Sequence, residues 1–195
     1  MKKLGLTGSI ATGKSTALAV FADLGVPTFS SDDAVHSIYE AEGVAAVAQL
    51  FPAVVHSGKV DRPALARAIV ENPSALPALE AAIHPLVRAR MRAFLEAAAA
   101  TGAPLAVIDV PLLFETGFDY GLDAVLVVTV DPAIQRARAL ARPGMTVEKL
   151  DTILARQMPQ AEKVKRADYV LDTSGPLEQT ARKIAGIVSE MTAQP

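Results

Sequence analysis

The sequence predicts an α/β protein: a doubly wound parallel sheet of about five strands, with a helical insert after the second strand and an arginine-rich segment after the fourth. Three observations predict it. Short apolar runs alternate with segments of helical period along the chain, the pattern of a parallel sheet crossed over by helices. Two of the runs, "PLAVIDVP" and "AVLVVTV", are apolar without alternation, as strands covered on both faces are. The first run ends in a glycine-rich turn that opens directly into a helical segment.

The elements follow in order. "KLGLT" reads as the first strand. "KSTALAVFADLG" carries Leu18, Phe21 and Ala22 at helical spacing and stops at Gly25. "VPTFS" is a second short strand. Residues 31 to 104 then show almost no strand character and break into helical pieces: "DDAVHSIYE", "VAAVAQLF", "DRPALARAIV", "SALPALEAAI" and "HPLVRARMRAFLEAAAA". In the last of these Val87, Met91, Phe94 and Leu95 share one face, with Arg88 and Arg92 on another. "PLAVIDVP" and "AVLVVTV" are the third and fourth strands. "PAIQRARALAR" and "TVEKLDTILARQM" are helical and rich in arginine. "DYVLDT" is the fifth strand and "PLEQTARKIAGIVSEM" a closing helix. The stretch between the second and third strands is too long for a simple crossover, so it is expected to cap the C-terminal strand edge, where ligands bind in such sheets. The expected layout is one domain over residues 1–195. Its core is about 1–31, 104–135 and 167–195, the insert about 32–103, and the arginine-rich segment, a lid, about 136–166.

Composition narrows the class. The chain has 195 residues, 51% hydrophobic and 21% charged, with formal net charge −2. That is one sizeable core and no support for a nucleic-acid-coating surface. Cysteine is absent, which excludes disulfides, thiolate zinc sites and cysteine nucleophiles. "MKKLGLTG" lacks the apolar core of a signal peptide, and no apolar run approaches membrane-spanning length. The expectation is a cytoplasmic protein with no nucleic-acid or membrane partner. The oligomeric state is left open, a monomer included.

The chemistry is concentrated in the first turn. Gly8-Ser9-Ile10-Ala11-Thr12-Gly13-Lys14-Ser15 matches the phosphate-binding loop pattern G-x-x-x-x-G-K-[ST]. Gly8 and Gly13 allow successive N–H groups to point inward at an anion, which makes the Gly8–Gly13 backbone, Ala11 and Thr12 included, a phosphate cradle. The following helix offers its N-terminus to the same phosphates. Lys14 is expected on the β- and γ-phosphates of ATP, the Ser15 hydroxyl on Mg²⁺, and Thr16 on an earlier phosphate. The fold is therefore of the P-loop NTPase type.

Other residues carry two readings each. Asp109, at the end of "AVID", is expected to face Mg²⁺ across from the loop, or else to cap a turn. Asp32 follows the second strand and either accepts a proton from an attacking hydroxyl or is the N-cap of the next helix, with Asp33 as competitor. His36, His56 and His84 lack ligand spacing. Arg136, Arg138 and Arg142 are a solvated face or a set of arginines that close over phosphates. Residues 138 and 142 lie one turn apart, so both can face one phosphate chain.

The single asparagine, Asn72, rules out an Asn-Lys-x-Asp guanine-reading motif and with it a switch GTPase. A short chain with a helical insert and an arginine-rich segment points to a small-molecule kinase of the nucleotide-kinase type. A nucleoside or nucleoside monophosphate kinase and a non-catalytic ATP sensor are the alternatives. The P-loop does not specify the acceptor.

Read as a set, the motifs resemble the dephospho-coenzyme A kinase family. They are "LGLTGSIATGKST", "FADLGVPTFSSDDAVH", "GKVDRPALARAIVENP", "LEAAIHPLVR", "VIDVPLLFETG", "VVTVDPAIQRARALAR" and "RADYVLDTSG", which run from one end of the chain to the other. "DVPLLFETG" is the most distinctive. Departures are few: Ser9 and Ala11 stand where the family often has glycine, Ser30-Ser31-Asp32 where it reads Asp-Ala-Asp, and Thr173 near a frequent asparagine. The resemblance implies transfer of the γ-phosphate of ATP, with Mg²⁺, to the ribose 3′-hydroxyl of dephospho-coenzyme A. It implies Asp32, Lys14 and Arg138 as the catalytic set, Arg142 and Thr173 on ATP, and Arg62, His84, Arg88, Leu113 and Glu115 lining the acceptor. For Leu112, Leu113 and Phe114 the competing role is core, and for His84-Pro85 the start of a helix.

Overall fold

The computed structural model describes residues 1–193. In chain order the elements are β1 (Lys2–Gly8), α1 (Lys14–Asp23), β2 (Thr28–Ser30), α2 (Ser31–Ile38), α3 (Val44–Leu50), β3 (Val55–His56), β4 (Lys59–Val60), α4 (Arg62–Glu71), α5 (Leu76–Ala100), β5 (Leu105–Asp109), β6 (Ala124–Thr129), α6 (Pro132–Leu140), α7 (Val147–Arg156), α8 (Gln160–Lys165), β7 (Tyr169–Asp172) and α9 (Leu177–Ala193). Single-turn 3₁₀ helices lie at Pro52–Val54 and Pro73–Ala75. Five strands form a parallel sheet in the order β2-β5-β1-β6-β7. Leu6 of β1 sits opposite Asp109 of β5 and Leu126 of β6, so the C-terminal ends of the central strands lie side by side. The doubly wound α/β class predicted from the alternation is the one observed.

The chain divides into two compact units: Met1–Phe29 with the chain from Ala98 onward, and Ser30–Ala97. In the first, one face of the sheet presents alternate residues, as a period of two requires. Leu4 and Leu6 of β1, Leu105 and Val107 of β5, Leu126 and Val128 of β6 and Leu171 of β7 pack with Ala17 and Phe21 of α1 and Ile184 and Met191 of α9. Phe21 and Leu18 do face this core, Phe21 fully buried. A smaller cluster joins Ala11 to Ala139 of α6 and Leu150 of α7, with Ile10, Met145 and Leu154 against it.

The second unit has its own core: Ile38, Val47, Phe51, Val54, Val60, Leu65, Leu79 and Ile83. Side chains cap the starts of α2 and α4. Asp61 Oδ1 accepts from the Ala64 N–H at 2.9 Å ahead of α4, the capping position that Asp fills well.

The little strand structure in this region is one hairpin: β3 and β4 pair antiparallel around Ser57 and Gly58, with φ of +50° and +75°, the backbone of a tight two-residue hairpin turn. Two expectations about the region are corrected. "SALPALEAAI" and "HPLVRARMRAFLEAAAA" are one helix, α5, with Pro85 inside it, so His84-Pro85 does not begin a helix. The N-cap of α2 is Ser30, whose hydroxyl accepts from the Asp33 N–H at 3.1 Å, not Asp32; Asp32 and Asp33 occupy the first turn, where the helix dipole favours carboxylates. Among the described residues no helix is long and apolar enough to cross a membrane.

Phe21 is fully buried in the cluster that holds residues of four strands, so Phe21→Ala is expected to cost about 3–5 kcal/mol of unfolding free energy, measured by urea denaturation.

Candidate active site

The site begins where β1 stops. Gly8 has no room for a side chain: a Cβ there would lie 2.7 Å from Thr12 Oγ1 and 2.8 Å from the Val128 carbonyl. Ala11 and Gly13 both take positive φ, +60° and +88°. Gly13 tolerates this readily, whereas Ala11 is a non-glycine residue in the left-handed region. Gly13 is also the N-cap of α1, with no side chain capping the first turn and no acidic residue in it. Those first-turn N–H groups are therefore available to an anion, as the helix dipole favours. Ser15 and Thr16 are exposed on that turn. Thr12 is not: it is buried, and its hydroxyl donates to the Ser9 carbonyl at 2.9 Å, closing the loop on itself.

Lys14 and Asp109 face each other. The Lys14 ammonium pairs with the Asp109 carboxylate across the ends of α1 and β5, and Asp109 is buried. The Lys14 ammonium thus lies between the Asp109 carboxylate and the loop.

Thr173 closes the other side. Its hydroxyl donates to the Thr12 carbonyl at 2.7 Å, with the Thr129 carbonyl at 3.2 Å. It accepts from Arg138 Nη1 at 3.2 Å, and Arg138 Nη2 donates to the Thr173 carbonyl at 3.0 Å. Arg138 of α6 and Arg142, two residues past its end, line a cleft of about 390 Å³ together with Ala11, Gly13, Thr16 and Thr173. Arg136 turns away and pairs with Asp151 at 3.2 Å on the surface. The arginine run thus divides: two members face the cleft and one is a solvated ion pair. Gly175, Leu177 and Thr180 also line it; no local pattern in the sequence marks them.

The "PLLFE" loop splits as well. Leu113 is buried, with its side chain beside Gly5 of β1, while Leu112 is exposed. Phe114 lies under the Arg166 guanidinium, 5.9 Å from ring centroid. Glu115 accepts from the Met158 N–H at 2.8 Å and lies 2.9 Å from the ammonium of Lys163, which is fully buried. Burial pushes the Glu115 carboxyl up, but Lys163 and the Met158 N–H outweigh it and hold it below the ordinary glutamate range.

The remaining candidates, Asp32, Arg62, His84 and Arg88, belong to the second unit. Asp32 and His36 are one turn apart on α2. Arg62, the first residue of α4, bonds His36 Nδ1 with its guanidinium, so Arg62 and the helix that carries Asp32 are held together. His84 is exposed and Arg88 half-buried, one turn apart on α5.

The chain matches the family model for dephospho-CoA kinase over residues 3–179. A dephospho-CoA kinase of Rhodopseudomonas palustris is 52% identical over 195 residues, spanning 100% of this chain and 98% of the relative. The chain belongs to the dephospho-CoA kinase family. A dephospho-CoA kinase of Brucella melitensis is 49% identical over 98% of this chain and 96% of its own length. A Thermus thermophilus protein of known crystal structure superposes on 97% of both chains with a TM-score of 0.81 at 35% identity. A shikimate kinase of Bacteroides thetaiotaomicron, at 15% identity and TM-score 0.54, shares the fold over 96% of this chain and 98% of its own.

The Glu115–Lys163 pair makes stability pH-dependent. Because the folded-state pKa of Glu115 lies below its unfolded value, the pair's contribution is full above the ordinary glutamate range and is lost as pH falls through the folded-state pKa. Thermal melts between neutral pH and the acid limb should show Glu115→Gln less stable than wild type at neutral pH, with the difference shrinking on acidification. Lys163→Ala, which leaves the half-buried Glu115 carboxylate with a buried Oε2 and no ammonium beside it, is expected to cost about 1–3 kcal/mol at neutral pH.

Proposed function

We propose that this chain transfers the γ-phosphoryl group of ATP to the ribose 3′-hydroxyl of dephospho-coenzyme A, releasing ADP and coenzyme A. The observation that carries the reading is the family match over residues 3–179 on a chain whose phosphate-binding loop opens into a cleft bearing Arg138 and Arg142.

Phosphoryl transfer asks for alignment and charge neutralisation more than covalent help. The N–H groups of Ala11 and of Gly13 to Thr16 would hold the donor phosphates, the Thr12 N–H being taken by the Ser9 carbonyl at 3.3 Å. Lys14 would exchange the Asp109 carboxylate for the β- and γ-phosphate oxygens, and Arg138 and Arg142 would meet the transferring group. A planar guanidinium fork suits that spread charge better than an ammonium. The donor chemistry for Mg²⁺ fits: the Ser15 hydroxyl and the freed Asp109 carboxylate are hard oxygen ligands, and Mg²⁺ typically completes its shell with phosphates and water. Among the described residues no cluster of three or more His, Cys, Asp or Glu forms an all-protein cage, so the phosphates would be part of the site. The ion would neutralise charge on the β- and γ-oxygens. Asp32 would orient the acceptor hydroxyl and take its proton late in the transfer, and Arg62, His84 and Arg88, with Leu113 and Glu115, would contact the acceptor. Thr173 would act on the nucleotide side of the cleft. Cytoplasmic placement accords with the lack of a membrane-spanning helix among the described residues.

ADP release measured across a panel of acceptors tests the reading. Turnover with dephospho-coenzyme A, and a product heavier by one phosphate, is expected; turnover only with nucleosides or nucleotides overturns it. Asp32→Ala should lose about 10²–10⁴-fold in kcat at nearly unchanged ATP affinity, and Lys14→Ala should lose both. Arg138→Lys keeps the charge but not the fork and should be strongly impaired in turnover, with its melting temperature close to wild type.

A further inference from the structure

Ile10, at the apex of the phosphate-binding loop, has both of its backbone groups taken by glutamine side chains. Its N–H donates to Gln157 Oε1 at 3.1 Å, and its carbonyl accepts from Gln135 Nε2 at 2.8 Å. The preceding residue is held in the same way: Ser9 Oγ donates to Gln160 Oε1 at 2.7 Å, and Gln160 Nε2 donates on to the Val128 carbonyl at 3.1 Å, at the end of β6. Gln135 comes from α6, Gln157 is the C-cap of α7 and Gln160 opens α8. The Ile10 side chain packs into the cluster of Ala139, Leu150 and Leu154 from α6 and α7. The next residue is Ala11 at φ +60°, a conformation that costs free energy and persists only where its surroundings over-determine it.

We infer that Gln135 and Gln157, with Gln160 beside them, are positioning residues that hold the outer edge of the phosphate-binding loop so that its inner N–H groups converge on a diphosphate. The inference rests on the ATP reading of this cleft. A loop that aims successive N–H groups inward must satisfy its other backbone groups from outside, and an amide side chain, carrying both a donor and an acceptor, can serve either polarity. Gln157 acts as acceptor and Gln135 as donor on one residue, so they fix the orientation of the peptides on both sides of Ile10. The same segment carries Arg138 and Arg142 on α6 and just beyond it. The loop and the cleft arginines are thereby set by one piece of chain. Because the diphosphate is bound in ground state and transition state alike, loss of the brace should appear as weaker nucleotide binding more than slower chemistry.

The test uses the full chain with ADP as probe and dephospho-coenzyme A turnover as second readout. Gln135→Met and Gln157→Met keep length and remove the hydrogen bond; each is expected to weaken ADP binding, by calorimetry, and to raise the KM for ATP by about 3- to 10-fold, the value of one such bond, with a smaller change in kcat and in melting temperature. Polarity supplies a sharper contrast. Gln157→Glu keeps an acceptor for the Ile10 N–H, whereas Gln135→Glu faces the Ile10 carbonyl with no donor; both add the same charge, so the second should bind ADP more weakly than the first. Wild-type ADP affinity in both Met variants, a loss that follows melting temperature alone, or equal behaviour of the two Glu variants overturns the inference. A wild-type chain that binds ADP but turns over no dephospho-coenzyme A overturns the proposed function instead, and the ADP affinities still decide the brace.

Discussion

A phosphate-binding loop must leave a row of N–H groups free for its ligand, and a chain can do that only if the groups facing the other way are occupied. The rest of the nucleotide side of this structure depends on that constraint. Thr173 holds the Thr12 carbonyl from the end of β7, the Thr12 hydroxyl holds Ser9, and three glutamines hold Ser9 and Ile10. Each contact is worth little alone, since a typical net hydrogen bond contributes about 1 kcal/mol. Together they keep Ala11 in a conformation that an isolated chain would abandon. The sheet makes this possible by bringing the C-terminal ends of β1, β5, β6 and β7 into register.

Electrostatics imposes a complementary constraint. Two carboxylates, the buried Asp109 and the half-buried Glu115, flank the "DVPLLFE" segment, and each is matched by a lysine, Lys14 or Lys163. The two pairs differ in what surrounds them. Lys14 sits at the edge of an anion site and has an alternative partner in a phosphate. Lys163 is enclosed on all sides and has none, so its pairing is a fixed element of the fold, tying the loop after β5 to α8. Glu115 Oε2, buried and without a hydrogen-bond partner among the described residues, shows that this tie is not fully satisfied.

Much of this was legible in the sequence, and the boundary has physical causes. The sheet strands were legible because continuous apolar runs report burial on both faces. The loop was legible because Gly8, Gly13, Lys14 and Ser15 act locally, within one strand–turn–helix unit. The β3–β4 hairpin was not, because two-residue strands have no periodicity; only the Ser57-Gly58 pair signals it. Pro85 read as a helix start because its missing N–H is tolerated most easily there, yet the packing of Leu79, Ile83 and Met91 along α5 carries the helix through it. Ser30 rather than Asp32 caps α2, a choice between capping residues two positions apart that propensity alone does not make. Gln135, Gln157 and Gln160 were illegible for a different reason: each acts on a residue more than a hundred positions away, and glutamine is ordinary on a helix surface.

The enclosure of Lys163 has a consequence for how the molecule can be watched. An amine with no exposed surface is shielded from acylating reagents until the chain around it parts, while Lys59 and Lys165, exposed at 67% and 68%, are open to them from the start. The extent of acylation at residue 163, read peptide by peptide in a timed labelling course, is therefore a clock for the opening of α8 away from the loop after β5. It runs without any introduced probe, in a chain whose lack of cysteine leaves no thiol to compete for the reagent.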